Sequence, residues 1–122
     1  MIWVMLYYLL SGSPSGLVYD ISDPVEQYVA VKETAKQIIS INKEMLQEEA
    51  KQVEVNTKAK TLLAAINANR LATESDIKAV LTEVEKQRIV ARNRIIEMRF
   101  GMRDLMSAEE WRNVYAAASQ HE

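Results

Sequence analysis

The chain is 122 residues long with no cysteine, one histidine, three glycines and two prolines; 48% of it is apolar, 26% is charged and the formal net charge is -2. That length holds one hydrophobic core, and the composition excludes a disulfide framework, a cysteine-based zinc site and most histidine-dependent catalysis. Few glycines and prolines speak against turn-rich β architectures, and a slightly acidic chain is not the globally basic one that nucleic acid selects, so an all-α protein without a nucleic-acid partner is expected.

The first 19 residues carry no side-chain charge, and Ile2 to Leu10 (IWVMLYYLL) is apolar throughout before the small residues Ser11 to Gly16 (SGSPSG). A spanning helix needs roughly 20 apolar residues, so this run is too short. A secretory signal has an apolar stretch of about 7–15 residues followed by small residues at the cleavage site. Ser13 and Ser15 fit those positions, although no Lys or Arg precedes the run. Two readings follow. A signal-like segment implies a periplasmic or secreted protein that meets the membrane only transiently; an apolar arm packed on the domain or on a second subunit implies a cytoplasmic one. Residues 20–122 then form a single helical domain.

From Val25 to Phe100 there is neither Gly nor Pro, and helix-forming residues dominate. Asp23-Pro24 opens this stretch as N-cap and first-turn proline. Tyr28, Ala35, Ile38, Ile39, Met45, Leu46 and Val53 fall on one face of a first long helix. Asn42 lies in the same stripe, where it either fixes register from a buried position or, as we expect, sits at an exposed edge. Asn56-Thr57 predicts a kink or turn, because both side chains compete for backbone partners. A second helix with Ala59, Leu62, Leu63 and Ile66 follows to about Asn69.

Thr73 to Asp76 (TESD) reads as a capping box opening a third helix. Along it Ile77, Leu81, Val84, Arg88, Ala91, Ile95, Met98, Met102 and Leu105 recur at alternating spacings of four and three, the repeat that keeps one seam against a partner. Ile89, Ile96 and Phe100 form a second stripe, so this helix has more apolar surface than one neighbour covers. Gly101 favours an end or bend, although the seam stays in phase through Met102 and Leu105, which also admits continuation. Ser107 to Glu110 (SAEE) is a second box, with Met106 and Trp111 placed as a hydrophobic staple, and Trp111, Val114, Tyr115 and Ala118 give the last helix an aromatic face.

Residues 86–103 hold six basic side chains (Lys86, Arg88, Arg92, Arg94, Arg99, Arg103) against Glu97, a balance of +5 that leaves -7 for the rest. Such a stripe beside apolar residues suits an acidic or amphipathic protein partner, unless Glu33, Glu44, Glu48, Glu49 and Glu54 of the first helix match it internally. Met98, Met102 and Met106 are spaced like soft ligands for Cu(I), with His121 as an accessory, but methionine more commonly fills cores. No phosphate loop, catalytic triad or carboxylate pair is legible, so neither enzyme activity nor a cofactor is expected.

The stretch from Ile96 to Tyr115 (IEMRFGMRDLMSAEEWRNVY) resembles the end of the Spy/CpxP-like periplasmic proteins, including heavy-metal-responsive relatives. In them a long helix rich in Arg, Met and Glu leads into an L-T-x-x-Q signature. Met106 to Glu110 stands in its place here, and Ala72 to Asp76 is a looser second copy; both end in an acid rather than Gln. The resemblance covers residues 71–118. It implies about four helices paired as a curved, antiparallel homodimer, and a non-enzymatic stress role: a holdase for unfolded clients, or an adaptor or sensor of a membrane signalling protein. By residue character, the binding face becomes Arg88, Ile89, Arg92, Ile96, Arg99, Phe100 and Arg103. A metal-responsive sensor and a coiled-coil subunit of a larger assembly are the alternatives.

Overall fold

Only two short links interrupt helical backbone between Val25 and Phe100. The computed structural model describes residues 18–119, which form four helices and no strand among them: α1 (Ser22–Tyr28), α2 (Lys32–Ala68), α3 (Glu74–Leu105) and α4 (Ala108–Ser119). The all-α expectation holds. The Ile2 to Leu10 run and His121 lie outside the described residues.

The first predicted helix is divided. Asp23 is not its N-cap: it sits inside the first turn of α1, behind an Ile21 cap that supplies no side-chain bond. Asp20 Oδ1 accepts from the Ser22 N–H at 3.1 Å instead. The chain then turns extended at Val29 and Val31 before α2 begins. The β-branched residues here are weaker helix formers, and the break lets α1 fold back so that Ile21, Val25 and Val29 enter the core.

The predicted break at Asn56-Thr57 does not occur, and the expected second helix is the distal half of α2. The Thr57 hydroxyl donates to the Val53 carbonyl at 3.0 Å, one turn back within the helix, while Asn56 is buried. Their polar groups are satisfied without unwinding the backbone. Asn69 then stops α2: its side-chain oxygen accepts from the Leu71 N–H at 3.0 Å, and the turn delivers Thr73 as the cap of α3.

That cap is the expected box. Thr73 Oγ1 accepts from the Asp76 N–H at 3.2 Å and Asp76 Oδ2 from the Thr73 N–H at 2.8 Å. Gly101 neither ends nor caps α3: among the described residues none adopts positive φ, and the helix runs through to Leu105. Continuing it buries Met102 completely, which outweighs the helix cost of one glycine.

The long helices α2 and α3 make an antiparallel hairpin whose register is marked by Glu48 meeting Arg94 and by Ala59 and Leu63 packing with Val84. Every member of the predicted seam is buried or half-buried. At the open end α1 and α4 pack on each other and α1 on α2, forming a cap over Ile38, Met45, Ile95 and Met102. A smaller cluster, Ala59, Leu63 and Val84, closes the tip. Between the two lie buried Gln52 and Asn56. Tyr28 and Val53, assigned above to the buried face, are exposed; α1 carries Tyr28 away from that face, and Val53 lies beyond the reach of the cap.

Candidate docking face on the hairpin

Two side chains tell the faces of the hairpin apart. Asn42 on α2 is 1% exposed; its Oδ1 accepts from the Ile21 N–H at 3.2 Å and its amide donates to the Tyr19 carbonyl at 2.7 Å. The exposed-edge expectation is therefore overturned, since those two backbone groups need a partner where the chain enters the core. On α3 the Arg99 guanidinium lies 5.0 Å from the Trp111 ring of α4, and Tyr115 meets both Trp111 and Tyr19. Asn42 and Arg99 thus point to the same, cap-bearing face. Helical periodicity extends that face to Leu46, Glu49 and Val53 on α2 and to Arg92, Ile96 and Ile89 on α3.

The predicted binding residues are brought together there in two groups. Midway along the rod, Ile89 is 38% exposed, Ile96 half-buried and Arg92 exposed. Near the cap, Phe100 is 40% exposed, with the Arg99 and Arg103 guanidinium groups 5.2 and 4.7 Å from its ring centroid. Each cation–π contact of this kind contributes about 0.5–1 kcal/mol at an exposed site. Arg88, in the seam, and Arg99, over Trp111, are half-buried, whereas Arg92 and Arg103 are exposed.

Among the described residues the acids of α2 form no ion pair with Arg92, Arg99 or Arg103. Glu48 takes Arg94, which lies on the opposite side of α3, at 3.6 Å, and Glu54 pairs with Lys58 within α2. Glu33, Glu44 and Glu49 make no ion pair among the described residues, and neither does Arg92. Arg103 reaches its neighbour Asp104 at 3.4 Å. Buried among these rings, the Tyr115 hydroxyl has its pKa raised by desolvation, with Arg99 pulling it the other way. A cation held over aromatic surface keeps its charge available to a docking carboxylate.

The methionines fill the core. Met102 and Met106 belong to the open-end cluster and Met98 packs against it; Met106 lies past the end of α3, so the regular spacing that suggested a ligand set does not persist. Among the described residues no group of three or more His, Asp or Glu side chains is placed to hold a metal ion, and no helix is long and apolar enough to cross a membrane.

The Ser107 box forms as expected, Ser107 Oγ accepting from the Glu110 N–H at 3.1 Å and Glu110 Oε1 from the Ser107 N–H at 2.9 Å. Sequence reasoning missed the other half of Glu110: its Oε2 accepts the Ala30 N–H at 3.0 Å, tying α4 to the link between α1 and α2. These backbone donors hold its carboxyl below the ordinary range. Both stretches likened to L-T-x-x-Q are therefore helix-opening boxes in this fold. Comparison of the chain with family models, curated proteins and solved structures finds no match.

Proposed function

We propose that this chain is a non-enzymatic protein-binding module, a holdase or adaptor, that receives acidic, partly apolar segments of other proteins on the α3 face from Arg88 to Arg103. The observation that carries this reading is the exposed Ile89 and Phe100 beside Arg92, Arg99 and Arg103, none of which pairs with an acid of α2 among the described residues. Long-range attraction brings an acidic segment in and apolar contact retains it. The Spy/CpxP-like resemblance supports the same role, and together with the Ile2 to Leu10 run it supports a periplasmic or secreted setting.

The test is suppression of aggregation of a chemically unfolded client, with Arg92→Glu/Arg103→Glu against wild type and against Lys36→Glu, an exposed cation elsewhere on α2. Losing two rim contacts of up to about 1 kcal/mol each raises the protein needed for half-suppression by about five- to tenfold. Lys36→Glu leaves it unchanged. Equal suppression by all three proteins, with helicity intact by circular dichroism, removes this face as the binding surface.

A further inference from the structure

Among the described residues the opposite face of the hairpin carries no cap, since the segment at Tyr19 to Ile21 and the rings of α4 all stand over Asn42 and Arg99. It bears instead three adjoining open hollows between α2 and α3, from the level of Glu44 and Met98 to that of Leu62 and Val80, which together make a groove: the first two share Glu48 and Lys51 and the last two Val55, Glu83 and Gln87. Its apolar members include Leu62 and Val90, 52% and 47% exposed. We propose that a second copy of this chain covers this groove, laid in the same direction so that its α3 rests on α2 and its α2 on α3.

The charge pattern selects both the occupant and its direction. Within one chain α2 and α3 already match level for level, Glu48 with Arg94 and Ala59 and Leu63 with Val84. A two-fold axis along the rod preserves those levels, so each α2 meets the second copy's α3 in the register in which it meets its own. Glu48 then faces the second copy's Arg94, Lys58 its Glu83 and Leu62 its Val80, each contact occurring twice. Among the described residues Glu83 makes no ion pair and accepts only an exposed amide hydrogen bond, from Gln87 Nε2 at 3.0 Å, and Lys58 is held only by the exposed Glu54; both contacts are surface ones that an opposite charge can displace. Laid in opposite directions about the middle of the groove, α3 packs on α3: Arg94 meets Lys86 and Glu97 meets Glu83, which is repulsive. The product is a four-helix arrangement with both caps and both arginine faces outward, and it reverses the antiparallel pairing that the family resemblance implies. It does not depend on the proposed client binding.

The experiment measures oligomeric state by light scattering and sedimentation for the full chain, for Lys58→Glu, for Glu83→Lys and for the double reversal. Orientation comes from a spin label at Leu71→Cys, in a chain with no other cysteine. A concentration-dependent wild-type dimer is expected, weakened about tenfold or more in Kd by each single reversal and restored by the double one. Labels at the two tips should lie within about 40 Å of each other, whereas opposite packing separates them by about 50 Å or more at 1.5 Å per helical residue. A monomeric wild type, a dimer indifferent to the single reversals, single reversals that the double does not rescue, or the long distance each overturns the proposal. Client suppression measured on the same variants separates its failure from that of the arginine face.

Discussion

A single amide decides how the chain enters this fold. Asn42 answers one backbone donor and one backbone acceptor in the segment before α1, and its removal strands both in a buried setting. Asn42→Ala should therefore cost about 1–3 kcal/mol in urea unfolding, and Asn42→Asp, which buries a charge and sets a carboxylate oxygen against the Tyr19 carbonyl, should cost at least as much near neutral pH. Glu110 plays the corresponding part for the link between α1 and α2. Because hydrogen bonds from Ser107 and Ala30 lower its folded pKa, its charge stabilises the fold above the unfolded-state value, and that contribution is lost as pH falls through the folded one. The gap in urea midpoint between wild type and Glu110→Gln should be largest near neutral pH and close below the usual carboxylate range; a gap that is constant down to pH 3 contradicts this. Asn42 was visible in the sequence as a polar residue within an apolar stripe. Its burial was not, because the groups it serves lie 21 and 23 positions away.

At the scale of the element, local chemistry was legible where it is self-contained. Both capping boxes form between residues three apart, and the seam of α3 follows its repeat to Leu105. The end or bend that Gly101 favours does not occur, since glycine's permissiveness is the same whether a helix ends or continues. The burial of Met102 and the half-burial of Leu105 decide the matter. A methyl group at Gly101 meets nothing within 4 Å. Gly101→Ala should accordingly stabilise the protein by about 0.5–1 kcal/mol, seen as a rise in Tm of about 2–5 °C. A fall would show that the helix bends there in solution.

Across the whole molecule the hairpin is unevenly held. Its open end is sealed by α1 and α4 over a large cluster, while its tip relies on Ala59, Leu63 and Val84 with Ile77, Val80 and Leu81 beside them. Buried Gln52 and Asn56 separate the two, so apolar packing is not continuous along the rod. Amides of residues 57–67 and 77–84 should exchange with solvent at least about tenfold faster than those of 38–45 and 95–102. Uniform protection along both helices would mean that the rod opens only as a whole.

What the amino-acid order determined by itself is helical content, the seam, the two boxes and the uneven charge, all of which depend on neighbours within one or two turns of a helix. The fold alone decided that α1 breaks away at Val29, that α2 passes through Asn56, that Asn42 is buried, and that α1 and α4 cap one face of the hairpin. Each of these turns on burial between residues distant in the chain, where packing outweighs the small local preferences against it.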